Sequence, residues 1–188
     1  MLRIFCLCAV LGSSALVTTG QSRAALAKSQ HLSRHQLNAS QLRLLKALGT
    51  PVVVPGYMPA GYTLEGVYAQ QTCAGVGGGP GYELRYLHIG EDTSSVIILR
   101  GATGGFGGPA GDERLLVKNP VLGPVGLEYF KPGGASMPEL KQGYYLSDWV
   151  GKGPLYFSII TTGNLSDEFA PPARAELIKV LQALVYLP

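Results

Sequence analysis

Between Tyr82 and Ile89 apolar and polar side chains alternate, with Tyr82, Leu84 and Tyr86 on one face and Glu83 and Arg85 on the other. A period of two marks a strand with one buried face. Ser95 to Arg100 holds the continuous run Val96-Ile97-Ile98-Leu99, the pattern of a strand buried on both faces. Further strands are read at Val52 to Val54, Tyr62 to Gln70, Arg114 to Lys118, Val125 to Lys131, Gly143 to Val150 and Leu155 to Thr161. They are separated by Pro55-Gly56, Pro59-Ala60-Gly61, Lys131-Pro132-Gly133-Gly134 and Gly151-Lys152-Gly153-Pro154, residues that preset or permit tight turns.

The period changes at both ends of this region. Leu37, Leu44, Leu45 and Leu48 recur at helical spacing before Gly49 and Thr50-Pro51, which predicts a helix from about His35 to Leu48 that stops at its glycine. Leu177, Val180, Leu181 and Leu184 form a second apolar stripe behind Pro171-Pro172, which predicts a helix from Ala173 to Tyr186 lying across the sheet. Close-spaced strands with no helices between them favour an antiparallel α+β domain over a doubly wound one.

The first 27 residues obey another rule. Met1-Leu2-Arg3 is basic, Ile4 to Val17 is apolar, and Ala25-Leu26-Ala27 supplies a small-residue site. That order is the signature of a cleaved secretory signal. Its apolar stretch is shorter than the roughly 20 residues that a spanning helix needs, which disfavours an uncleaved anchor. Cys6 and Cys8 follow Phe5 and Leu7 inside that stretch, the wrong place for lipidation. The expected organisation is a signal peptide at 1–27, a flexible start at 28–36 and one domain at 37–188, in a periplasmic or extracellular protein without stable membrane insertion.

Cleavage alters the charge and the cysteine count. Removing 27 residues from 188 leaves 161, and losing Arg3 and Arg23 takes 15 basic residues to 13 against 12 acidic. No cluster of Lys and Arg longer than two remains, so the electrostatic footprint of a nucleic-acid binder is absent. Of three cysteines only Cys73 stays, so no internal disulfide can form, and the fold must rest on its core.

Candidate chemistry is sparse. Gly75-Val76-Gly77-Gly78-Gly79-Pro80-Gly81 starts like a dinucleotide fingerprint, but Pro80 takes the third glycine's place and a strand comes next, where the fingerprint requires a helix. Gly101 to Gly108 lacks the Lys-Ser/Thr pair of a phosphate loop. Cys73 and His88 form the only thiol and base pair, without a flanking motif, and no G-x-S-x-G elbow occurs. His31 and His35 share a helical spacing without an acidic or thiol neighbour, which gives no zinc set. No catalytic residue, cofactor or metal is therefore expected. The aromatic residues remain. Tyr144, Tyr145, Trp149, Tyr156 and Phe157 crowd the last hairpin, and Tyr82, Tyr86 and Tyr129 sit on earlier strands. An apolar body with a polar tip suits a ligand groove or a partner surface, and equally the edge of a half-buried sheet.

The stretch Val54-Pro55-Gly56-Tyr57-Met58-Pro59-Ala60-Gly61-Tyr62-Thr63-Leu64 resembles the x-Pro-x-x-Leu-Pro-x-Gly-Tyr-x-Leu opening of a bacterial extracytoplasmic domain of unknown function. That domain occurs at the outer end of some membrane-anchored anti-sigma factors and in exported proteins. Trp149 with Gly153 to Ser158, and Leu165-Ser166 with Ala175 to Leu184, match its later half. Met58 stands where the family has Leu, and the glycine-rich stretches at 75–81 and 101–108 are foreign to it. The resemblance implies a curved sheet similar to the half-barrel of periplasmic lipoprotein carriers, and it brings no catalytic residues.

The expected fold is thus α+β, a curved antiparallel sheet of about six to eight strands with an N-terminal and a C-terminal helix packed on it. The expected function is an exported, non-enzymatic binding or sensing module. Tyr82, Tyr86, Tyr145, Trp149 and Tyr156 form its expected contact surface for an unidentified protein or apolar small molecule. The alternative is a periplasmic carrier of a lipid or other apolar ligand.

Overall fold

The structure, a computed structural model, describes residues 35–71, 79–104, 107, 110–151, 154–161 and 169–188. The signal-like segment, His31, Cys73, Leu165-Ser166 and most of the first glycine-rich stretch lie outside the described residues. In chain order the elements are α1 (Ala39–Lys46), β1 (Val53–Pro55), β2 (Thr63–Gln70), β3 (Gly81–Ile89), β4 (Ser94–Thr103), β5 (Glu113–Asn119), β6 (Gly123–Phe130), β7 (Tyr144–Ser147), β8 (Leu155–Thr161), α2 (Arg174–Gln182) and β9 (Leu184–Tyr186).

Seven strands form one open antiparallel sheet in the order β2-β3-β4-β8-β7-β6-β5. Two meanders, β2 to β4 and β5 to β8, meet where β8 pairs with β4. The α+β class, the antiparallel sheet and the two terminal helices agree with the sequence pattern. At the second meander's inner seam the ladder is thin. β7 meets β8 in one register pair, Leu146 with Ile160. Hydroxyl groups complete the join: Tyr145 N–H donates to Thr161 Oγ1 and Ile159 N–H to Ser147 Oγ, each at 2.8 Å.

Strand alternation divides the sheet into two unlike faces. Tyr82, Leu84 and Tyr86 of β3 lie beside Gly101, Leu99 and Ile97 of β4, which lie beside Phe157, Ile159 and Thr161 of β8. Gly101 and Thr161 apart, these side chains join Leu45 and Leu48 at α1, Leu177, Val180 and Leu181 of α2, and the β1–β9 ribbon in one core cluster. Each fully buried aliphatic side chain there contributes about 1.5–3 kcal/mol. The other face carries Glu83, Arg85, Arg100, Tyr156 and Ser158. No described helix covers it. At its β6–β7 end residues 131–143 fold back, and Leu140 and Met137 cover Phe130 and Tyr144, whose rings stack at 4.5 Å. Asp112 holds that loop, accepting from the Lys131 and Ser136 amides at 2.8 and 3.1 Å, which pulls its carboxyl below its ordinary pKa.

Three boundaries differ from the sequence expectation. The first helix begins at Ala39, because Asn38 caps it. The Asn38 side chain accepts from Ser40 and Gln41 amides, and Gln41 returns a bond to the Asn38 amide, all at 2.9 Å, a complete capping box. Second, the flexible start expected at 28–36 does not reach its last two residues. His35 is 2% exposed and its Nδ1–H donates to the Pro55 carbonyl at 2.7 Å, while the Gln36 amide bonds Tyr62 O and Leu64 N. Third, the second helix ends at Gln182, and Leu184–Tyr186 pairs with Val53–Pro55. The buried valine run needs a ladder partner, and the Asn119 amide takes up carbonyls at the helix's end.

Two core phenols make stability depend on pH. Tyr82 OH donates to Val53 O and accepts from Val53 N, both at 2.8 Å, and Tyr86 OH donates to His35 O at 3.3 Å. Burial pushes both well above the ordinary phenol range. A folded-state value raised above the unfolded one means that the folded chain holds the proton longer. The stabilisation is therefore complete below about pH 10, the unfolded phenol value, and falls as pH rises beyond it. Phenolate absorbance and circular dichroism, tracked together in an alkaline titration, should show these tyrosines ionising only as the sheet unfolds. Ionisation of every tyrosine with the dichroism intact would contradict their placement.

Candidate functional site

The uncovered face holds one rung of side chains that runs across five strands' worth of sheet. Tyr68 of β2 lies opposite Glu83 of β3, Glu83 opposite Arg100 of β4, and Arg100 opposite Ser158 of β8. Trp149, just past β7, completes it, with the Arg100 guanidinium 4.8 Å from its ring centroid. Neighbouring strands sit about 4.8 Å apart, so these groups are in contact range by construction.

A register change puts Trp149 there. Leu146 pairs with Ile160, and Val150 pairs with Phe157. Four steps along one chain thus oppose three along the other. The extra residue reverses the side-chain parity beyond it, so Val150 joins the core while Trp149 shares the uncovered face with Leu146.

Charge along the rung is paired at its flanks. Arg85 bonds Glu83 and lies 4.7 Å over the Tyr68 ring. On the other flank Arg114 bonds Glu128 and reaches Asp148 Oδ2 at 2.7 Å. Arg174, on the opposite side of the sheet, bonds Glu113, which also takes Lys131 at 2.8 Å. Arg100 differs from all three. It has no described carboxylate partner, and its buried Nε has no hydrogen-bond acceptor among the described residues. Burial lowers its pKa, and Glu83 only partly offsets this.

The five residues expected to form one contact surface are split by the sheet. Tyr82, Tyr86 and Tyr145 are 4%, 0% and 6% exposed and lie on the helix-covered face, so that part of the expectation is corrected: they are packing residues. Tyr145 stacks on Tyr129 at 4.6 Å and accepts a long bond from Arg174. Trp149 and Tyr156 are half-buried on the uncovered face. Arg100 and Tyr68 join them there, outside the expected set. Arg100 has the same strand parity as Ile98, and that was the available signal; its significance depends on the register with Glu83 and Ser158, which no single strand reveals.

A separate cleft of about 570 Å³ opens between the β3–β4 turn and the start of α2. Tyr62, His88, Ser95, Glu91, Pro172 and Glu176 line it. His88 leans on the Tyr62 ring at 5.4 Å, and Tyr62 OH donates to Ser95 Oγ at 2.6 Å. Tyr57 OH donates to Glu176. The Pro59–Tyr62 turn builds one wall. Gly61 has φ +84, and a Cβ there would lie 2.9 Å from His88 Nε2, so both backbone and space demand glycine. His88 is therefore held by wall contacts, and Cys73, the thiol weighed with it in the sequence and not favoured, lies outside the described residues. Among the described residues no three His, Cys, Asp or Glu side chains converge to hold a metal, and no helix is long and apolar enough to cross a membrane.

No family model, curated protein or solved structure matches this chain.

Proposed function

We propose that the chain is an exported, non-enzymatic binding or sensing module whose contact surface is the uncovered sheet face around Arg100, Trp149 and Tyr156. The carrying observation is the half-buried Arg100–Trp149 stack on a sheet face without a described helix. Buried arginine charges ordinarily have partners, and Trp and Arg are the side chains most enriched where binding energy concentrates. The N-terminal pattern supports export, and the resemblance to extracytoplasmic domains points the same way. The helix-covered face is filled with side chains from both helices and the β1–β9 ribbon, which favours surface contact over a ligand held beneath the sheet.

The test is capture of partners from cells that produce the chain, with the intact protein and with Trp149→Ala and Tyr156→Ala as bait. Both variants should keep their stability within about 1 kcal/mol, as expected away from a core, and lose a specific partner by about tenfold or more. Undiminished capture by both variants, or unfolding of both, overturns this surface. Lipid in an organic extract of the bait, without a protein partner, favours the carrier instead.

A further inference from the structure

We infer that Arg100, backed by Trp149, receives a carboxylate from an acidic segment of a protein partner on the uncovered sheet face. The inference rests on the surface proposed above and names the chemistry at its centre.

The arginines of the sheet region are not alike. Arg85, Arg114 and Arg174 each have a carboxylate from this chain. Arg100 sits on the interior strand β4, with a buried Nε that meets no acceptor among the described residues. A guanidinium presents planar N–H pairs that match a carboxylate in a two-point contact. The Trp149 ring under it supplies a cation–π contact that fixes the plane of the fork without consuming its donors. Tyr156 is half-buried on this same face, two residues before Ser158, the register partner of Arg100. It offers a ring and a hydroxyl to the segment that carries the acid.

The charge around Arg100 favours a monoanion over a phosphate. On one flank Glu83 bonds Arg85, which Glu65 also faces, and Glu83 acts on Arg100 as well. On the other, Glu128 and Asp148 share Arg114 and leave a net negative charge. Arg100 is thus one positive charge beside an acidic flank. A carboxylate adds only one negative charge to that neighbourhood. A phosphate dianion would bring a second negative charge with no second uncommitted cation beside it among the described residues, and phosphate sites generally supply more than one donor group.

Trp149 is the only tryptophan, so its fluorescence reports this site alone. The probe is the blocked peptide acetyl-Gly-Glu-Gly-amide, titrated into the full chain, with acetyl-Gly-Gln-Gly-amide and inorganic phosphate as comparisons. The expected result is a saturable Trp149 response to the Glu peptide, at least about tenfold weaker with the Gln peptide and in Arg100→Gln, with Arg100→Lys in between. Matching dichroism of the variants shows that they fold. Equal responses to Glu and Gln peptides, a response retained in Arg100→Gln, tighter binding of phosphate, or no response each overturn the inference. The two readings fail separately. Partner capture lost with Trp149→Ala but kept with Arg100→Gln would leave the surface standing and remove the carboxylate; capture untouched by either would remove the surface.

Discussion

Asn119→Ala should destabilise the fold by about 3 kcal/mol, seen as a lower denaturant midpoint with an unchanged slope. Asn119 is 4% exposed at the end of β5. Its Nδ2 donates to the carbonyls of Leu181 and Leu184 at 2.7 and 3.0 Å, with a longer contact to Gln182 O. Its Oδ1 accepts from the Val121 and Leu122 amides, both at 2.7 Å. One side chain therefore closes the β5–β6 turn and terminates α2 against it. Alanine leaves several backbone groups unpaired, the Leu181 and Leu184 carbonyls among them in buried contacts, and each such buried group costs about 1–3 kcal/mol before relaxation. Asn119→Asp separates the two roles: it keeps an acceptor for the turn and sets a carboxylate oxygen against the helix carbonyls, so it should be at least as damaging. A loss below about 0.5 kcal/mol for both, the range of ordinary surface changes, would show that this clamp is not formed.

Gly101→Ala should cost about 2–3 kcal/mol, the upper range for overfilling a core. Gly101 lies in register between Tyr82 and Phe157, and the Tyr82 ring lies across it. A Cβ at 101 would come within 2.9 Å of Tyr82 Cδ1 and 3.0 Å of Cζ. The ring has no easy retreat, because its hydroxyl is tied to both the N–H and the carbonyl of Val53. The two positions should therefore be coupled: Tyr82→Phe in the Gly101→Ala background should cost less than in the parent chain, since the bonds it removes are already strained. Additive losses in that double-mutant cycle would contradict the contact.

How much of the fold is legible in the sequence depends on the length scale of the signal. Alternation in β3 is local, so Tyr82, Leu84 and Tyr86 can be put on one face, and the leucine spacing places both helices. Element ends are less legible. Asn38 with Gln41 three residues on is a capping box visible in the sequence, yet the leucine period extends past it to Leu37. The Ala173 to Tyr186 stripe overruns its helix because Leu184 fits a helical spacing, while its pairing with Pro55 is nonlocal. Asn119-Pro120 reads as an ordinary turn; nothing near it announces the carbonyls of residues 181–184.

The candidate site is legible only in part. Counting aromatics by segment puts Tyr82, Tyr86, Tyr145, Trp149 and Tyr156 together, whereas the sheet sorts them by parity. The extra residue between Leu146 and Val150 changes parity within the last hairpin, and only pairing exposes it. Arg100 reads in the sequence as the end of an apolar run. Its meaning comes from the groups that other strands place beside it: a glutamate already claimed by Arg85, and a tryptophan ring.

The central claim is that the uncovered face is the working surface, and site-specific photo-cross-linking tests it most directly. A photoreactive phenylalanine analogue at position 156 or 68, on that face, is compared in producing cells with one at position 44, an exposed residue of α1. The account predicts a discrete cross-linked partner from 156 and 68, suppressed by Arg100→Gln, and none from 44. Cross-linking from 44 with none from 156 or 68 would contradict it and move the working surface to the helix side.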